Sequence, residues 1–318
     1  MKKTSKGALL LGAFLFALVS QAQIALRVDK TKHLGRFEIV KTSFLTLDED
    51  AKSLIQRPIQ NPNFVANGIK LFALITTDYQ TTSYFQRNIE PLDRFIRPYV
   101  SFPTLFPNTP VLKRWAGGVD GYMYTGVTAM YAAGLITGNE KMQEAGVLTT
   151  KAVVESYIVS HVVLKTLLAR HRPARMLGEL GNDHDSEYPF VQSPLDFFNF
   201  HVPYLHSNAY GTGFPSYHAT MFFAFASTTS RVYDNKVVPY SLASLALLYD
   251  IRGHNHWVSE LVAGAVIGNF IGKVVYENHH ANREKTLSKR KNNSFAPTYN
   301  WSLGNCFGSA VPTLTVNW

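Results

Sequence analysis

The chain has 318 residues, 46% of them hydrophobic and 17% charged, with a mean hydropathy of −0.05; these values exclude a disordered chain and argue against a multi-span membrane protein. The formal net charge of +9 favours anionic partners such as phosphate esters, acidic lipid surfaces or nucleic acid. No zinc-finger or RNA-binding signature supports the last of these, so no nucleic-acid partner is expected, and the single cysteine, Cys306, excludes an internal disulfide.

At the N-terminus, Lys2, Lys3 and Lys6 precede an apolar run from Ala8 to Val19 that is too short to span a bilayer. Ser20-Gln21-Ala22 supplies small residues at a cleavage site. The pattern predicts a removed signal peptide over 1–22 and an exported protein, periplasmic or envelope-associated in a Gram-negative-type cell. An uncleaved anchor is the alternative. Residues 23–60 are polar and mixed and read as irregular, and residues 61–116, punctuated by Pro62, Pro91, Pro98, Pro103, Pro107 and Pro110, read as short helices joined by turns.

From Gly121 the pattern turns helical. Helices are expected over Tyr122–Leu135, Lys141–Ala169, His218–Thr229, Val238–Tyr249 and His256–Tyr276. Residues 174–214 form a long loop of the kind that lines functional sites. None of the helical segments offers eighteen clean apolar residues, which favours a soluble or peripheral bundle. Residues 283–294 read as a basic, solvated linker, with attraction to an anionic membrane surface as the alternative, and 295–318 as an extended tail. The expected architecture is therefore all-α: a helical bundle core over 117–282, an irregular N-terminal region over 23–116, and a linker with a short extended C-terminal tail over 283–318.

Three pieces carry chemistry. Lys165 and Arg172 are two helical turns apart, so one helix face can present both cations to an oxyanion before Pro173 stops the helix. Ser216, before an apolar segment, is suited to cap a helix whose free N–H groups attract anions, with His218 in its first turn. His256 and Glu260 stand one turn apart, so the carboxylate can hold one ring nitrogen while the other attacks. Gly264, Gly268 and Gly272 form a ridge that another helix can approach closely. His254 and His256 lack a further ligand at characteristic spacing, so no metal is expected.

Together these pieces resemble the type-2 phosphatidic acid phosphatase and vanadium haloperoxidase superfamily. Its signature is Lys, six residues, Arg-Pro; then Pro-Ser-Gly-His; then Ser-Arg, five residues, His, three residues, Asp. Lys165 to Pro173 match the first part; Pro215, Ser216 and His218 match the second; His256 and Glu260 match the end of the third. The resemblance covers about residues 117–276. It implies two-step phosphoryl transfer without metal or cofactor onto His256, with His218 as proton donor and Glu260 orienting the nucleophile. It also implies that Lys165, Arg172 and Ser216 hold the phosphoryl oxygens of a small-molecule or lipid phosphate. Tyr217, at the family's glycine position, and Arg252 complete the expected phosphate-binding set.

Three departures stand out. Tyr217 replaces the glycine, where a positive φ would cost roughly 1–2 kcal/mol. Glu260 replaces aspartate, adding one methylene and keeping the charge. Asp250 occupies the position of the third-motif arginine, and an anion there repels phosphate; Arg252, two residues on, is the candidate substitute. Three functions stay open on these residues: a phosphatase acting on a phosphomonoester or diphosphate, a degenerate relative that binds anions or a partner, and a vanadate-dependent haloperoxidase using the same pocket.

Overall fold

The computed structural model describes residues 34–92, 118–174, 176–178, 190–200, 213–250, 256–294, 298–306 and 309–317, with backbone alone at 36, 118–120, 249–250 and from 290 onward. The predicted signal segment 1–22 and residues 251–255, with Arg252 and His254, lie outside these.

The described chain is a helical bundle. Its helices are α1 (Arg36–Phe44), α2 (Leu47–Gln60), α3 (Phe64–Thr76), α4 (Asp78–Asn88), α5 (Gly118–Thr137), α6 (Glu140–Leu168), α7 (Tyr217–Tyr233), α8 (Val237–Asp250) and α9 (Val258–Ser294). The extended tail is a hairpin, with β1 (Thr298–Cys306) antiparallel to β2 (Ser309–Asn317) and Thr298 opposite Asn317. Helices α1 and α2 carry helical structure into the stretch read as irregular. Helix α9 runs on through the basic stretch read as a linker, because its polar Lys, Arg, Asn and Glu residues continue a helix as readily as they solvate a loop.

Two helices set the frame. A Cβ added at Gly264 would lie 2.6 Å from Ser216 O, at Gly268 2.0 Å from Thr220 O, and at Gly272 2.7 Å from Ala224 O. Successive glycines of α9 thus meet successive turns of α7 in the same chain direction, so the two helices run parallel at a separation that admits no side chain. Helix α6 runs the other way: its Thr149 hydroxyl meets that of Thr229 at 3.4 Å, and Tyr157 meets the ring of Tyr217 edge-on at 5.6 Å. The N-termini of α7 and α9 and the C-terminus of α6 therefore converge at one end of the bundle. Met130, Leu148, Ala224, Ile271 and Val275 fill the core among them, and Val127, Met221 and Phe222 fill a second cluster.

The ends of α6 have local causes. The Asn139 side chain accepts a hydrogen bond from the Met142 N–H at 3.1 Å and caps the start. Residues Tyr157–Leu164 are π-helical. Ala169, left-handed at φ 38°, ends the helix four residues before Pro173. The N-terminal helices dock through buried charge: the Lys151 ammonium donates to Ser43 O and to Thr46 Oγ1, each at 2.7 Å, and pairs with Asp50. Asn278 Nδ2 donates to Asp50 Oδ1 at 2.7 Å.

Two helices, Glu140–Leu168 and Val258–Lys289, are long and apolar enough to cross a membrane, and about half of each apolar window is buried in the bundle (50% and 56%). This corrects the reading that no such stretch exists: isolated polar residues such as Asn269 and Lys273 do not offset the apolar residues around them. Helix α3 buries none of its residues, leaving Phe64, Val65, Ile69 and Phe72 exposed.

A methyl at Gly268 should be as damaging as one at Gly68 is harmless. Gly268→Ala forces α7 and α9 apart and is expected to lower Tm by at least about 3 °C, from an overpacking cost of about 1–3 kcal/mol. Gly68→Ala, whose Cβ meets nothing within 4 Å, is expected to leave Tm unchanged or raise it slightly. Thermal unfolding of the two variants checks the pair.

Candidate active site

The site is built where the three helix ends meet. His256 lies just before α9 and is buried. Its Nδ1 is 2.7 Å from Glu260 Oε2, and its Nε2 is 3.4 Å from Ser216 Oγ. Glu260 is wholly buried, and its Oε2 also accepts the Trp257 N–H at 3.2 Å, so one carboxylate both caps α9 and faces the histidine. The remaining N–H groups at this terminus are engaged by α4: Val258 N–H donates to Thr82 Oγ1 at 3.0 Å and Ser259 N–H to Asp78 Oδ1 at 2.9 Å.

Ser216 is the N-cap of α7, its hydroxyl accepting from Ala219 N–H at 3.4 Å, and its own N–H donates to Glu260 O at 3.0 Å. The cap thus ties the second motif to the third. His218, two residues on, is buried in the first turn of α7, with its ring 5.5 Å from that of Tyr217 and 6.2 Å from that of Phe222.

Tyr217 is the first residue of α7 and has no positive φ, so the strain expected from replacing glycine is absent. Its hydroxyl is 3.1 Å from that of Tyr124, and its ring packs edge-on against Tyr157 and His161, the latter at 5.8 Å.

Lys165 and Arg172 do not share a helix face, which corrects the sequence reading. Helix α6 stops at Leu168, and Arg172 lies in the irregular chain beyond it. They are nonetheless electrostatic neighbours. Burial and then the Arg172 charge push the Lys165 ammonium down to about 7, while Glu260 opposes that shift. Among the described residues Lys165 is buried without an ion-pair partner. Burial pushes the Glu260 carboxyl up to about 8 against the pull of Arg170 and Arg172, with Asp78 adding to the rise. The site therefore holds a cation and an anion that both resist their charged forms, as expected where charge is desolvated.

Sequence reasoning missed Arg170 and Asp78. Arg170 is wholly buried; it donates to Asp78 Oδ2 and Ser259 Oγ at 2.8 Å each, and its Nη1 stands 3.6 Å from Glu260 Oε1. The available signal was Arg170 itself, a second arginine inside the first motif, two residues before Arg172. Asp78, distant in sequence, gave none. The contact of Gly213 with Glu260 is likewise not readable in the sequence. The Gly213 N–H donates to Arg170 O at 2.8 Å, and a Cβ there would lie 2.4 Å from Glu260 Oε1.

Asp250 closes α8, and its side chain is not among those described. Ser230-Arg231, a Ser-Arg dipeptide too far from His256 in sequence to be the third motif, lies at the far end of α7. It borders a cavity of about 780 Å³ with Asp234, Lys236, Tyr240 and Asn269, well removed from His256. Among the described residues no group of His, Cys, Asp and Glu could hold a metal ion.

Residues 145–284 match the family model of the PAP2 superfamily. Neither a curated protein nor a solved structure matches the chain.

Gly213→Ala is expected to displace the Glu260 carboxylate from His256, since its Cβ would claim the place of Oε1. The measurable consequences are a lower Tm and an altered Nδ1–H resonance of His256 by NMR. An unchanged resonance would show that Glu260 tolerates the methyl.

Proposed function

Because residues 145–284 belong to the PAP2 superfamily, whose members are usually phosphoesterases, we propose that this chain is an exported, metal-independent phosphatase of phosphomonoesters or diphosphates. The observation that carries the proposal is the His256–Glu260 contact of 2.7 Å, with Nε2 of the same ring turned to Ser216 Oγ at the N-terminus of α7.

The chemistry runs in two steps. With Glu260 ionised, His256 keeps its proton on Nδ1 and donates a hydrogen bond through it to Oε2, leaving the Nε2 lone pair to attack phosphorus. The bond from phosphorus to the leaving oxygen breaks as His218 gives that oxygen a proton. Water then attacks the phosphohistidine, His218 takes its proton, and the N–P bond breaks to release phosphate. Lys165, Arg172 and the Ser216 hydroxyl hold the equatorial oxygens, Tyr217 presents its backbone at the helix start, and Arg252 is the further candidate cation. Phosphoryl transfer depends mainly on such positioning and charge. The positive end of the α7 dipole adds to the field.

A lipid phosphate is the substrate class that the surface favours. The exposed apolar faces of α3, the net charge of +9 and the basic end of α9 suit contact with an anionic membrane. The periplasmic side of an envelope is the location consistent with the signal-like N-terminus.

Purified protein is expected to hydrolyse members of a panel of phosphate esters with chelator present and to form an acid-labile phosphohistidine, whereas His256→Ala does neither. Equal inertness of both proteins across the panel would leave an anion-binding relative. Activity only with vanadate and peroxide would point to haloperoxidase chemistry.

The pH dependence has a definite sign. Glu260, raised to about 8 by burial, must be ionised, so kcat/KM falls on the acid side as it takes up a proton. Lys165, lowered to about 7 by burial, must be charged, so the rate also falls on the alkaline side. A bell with its maximum between about pH 7 and about pH 8 is expected for kcat/KM. In kcat the alkaline limb moves up, because bound phosphate favours the charged lysine.

A further inference from the structure

We infer that Asp78 and Arg170 are positioning residues of the nucleophile: Asp78 fixes the Arg170 guanidinium, Arg170 fixes the free oxygen of Glu260, and Glu260 thereby fixes the ring of His256. This inference rests on the phosphatase reading above and extends it beyond the family-matching segment, since Asp78 lies in α4.

The geometry is a buried chain of alternating charge. Asp78, Arg170 and Glu260 are each wholly buried and His256 nearly so. Arg170 Nη2 donates to Asp78 Oδ2 at 2.8 Å and to Pro194 O at 2.6 Å. Its Nη1 donates to Ser259 Oγ at 2.8 Å and faces Glu260 Oε1 at 3.6 Å. The guanidinium carbon lies 4.7 Å from the centre of the Phe197 ring and 5.0 Å from that of Trp257, so aromatic faces hold the plane of the fork. Asp78 also accepts the Ser259 N–H at 2.9 Å and meets the Ser259 hydroxyl, which fixes the first turn of α9 to the same carboxylate.

Glu260 Oε2 is held by His256 and the Trp257 N–H, but Oε1 accepts no hydrogen bond among the described residues. Its orientation and its charge therefore depend on Arg170. The other groups acting on Glu260 are the Arg172 and Lys165 cations and the Asp78 anion. Arg170 is the cation paired with it, Nη1 standing 3.6 Å from Oε1. Such a cation keeps the carboxylate ionised and the histidine proton on Nδ1. Removing it favours the protonated carboxyl, and with it the loss of the oriented nucleophile.

The test uses the full chain and p-nitrophenyl phosphate as probe. Arg170→Gln is expected to raise the Glu260 pKa; because that pKa lies above the one of Lys165, the change moves the alkaline limb of kcat/KM up by about one pH unit and lowers its maximum. It should also lower kcat by about tenfold or more with KM changed little, as for groups that orient a histidine from behind. Arg170→Lys, which keeps the charge and loses the fork, should restore the limb towards wild type. Asp78→Asn should lower kcat by about tenfold at unchanged KM. A kcat/KM profile of Arg170→Gln with the wild-type limbs and maximum, or full kcat in Asp78→Asn, would overturn the inference.

An activity-free arm separates this failure from that of the phosphatase reading. The Glu260 carboxyl is titrated by carbon-13 NMR in wild type, Arg170→Lys and Arg170→Gln. An upward shift of its midpoint in Arg170→Gln and not in Arg170→Lys supports the chain of contacts even if wild type shows no turnover. Should Arg170→Gln fail to fold, Asp78→Asn carries the kinetic and NMR comparison, and an unmoved midpoint together with full kcat refutes the proposal.

Discussion

The absence of side chains along one ridge of α9 is the constraint on which the site depends. At Gly264, Gly268 and Gly272 the backbone of α7 occupies the place where Cβ atoms would stand. Two parallel helices pressed together in this way bring their N-termini to the same level. His256, one residue before the capping Trp257, and Ser216, the cap of α7, must then be neighbours. The antiparallel course of α6 delivers Lys165 to the same end. Helix packing, rather than any loop, sets the distances among the groups contributed by these three helices, and packed helices hold geometry better than loops do.

Burying charge at this junction has an electrostatic cost that the site uses. Glu260 and Lys165 are both shifted towards neutrality by desolvation. A bound phosphate dianion would supply the negative charge that Lys165 lacks among the described residues, so the substrate itself completes the ion balance. In a low-dielectric pocket that attraction exceeds its value in water. Arg170 plays the opposite part. Its Nη groups are committed to Asp78, Ser259 and Pro194, and Nη1 faces the carboxylate behind the nucleophile.

Contacts local to one helix were legible in sequence, and contacts between distant segments were not. The His256–Glu260 pair, one turn apart, and the Ser216 cap follow from helical periodicity, and the glycine ridge announced a close neighbour. The helical core was readable because its apolar residues recur at helical spacing. Lys165 and Arg172 were placed on one face by the same periodicity, and that failed because Ala169 turns left-handed before the proline is reached. Asp78 could not be found at all, since nothing in its own helix distinguishes it from a capping aspartate; only the fold brings it to Arg170. Helices α1 and α2 were obscured by polar composition, and buried contacts such as Lys151–Asp50 help to dock them.

The departures from the family pattern also have local counterparts. A tyrosine in place of glycine places a large ring at the start of α7, and the bundle receives it among Tyr124, Tyr157 and His161, with the hydroxyl meeting that of Tyr124. A glutamate in place of aspartate pushes its carboxylate one methylene farther from the α9 backbone, and the segment facing that carboxylate carries Gly213, where a Cβ would sit 2.4 Å from Oε1. The longer acid and the missing side chain occupy the same space. Each substitution therefore needs its neighbour: shortening Glu260 would open a void beside Gly213 and withdraw the carboxylate from His256, and filling Gly213 would expel the carboxylate that the longer side chain brings.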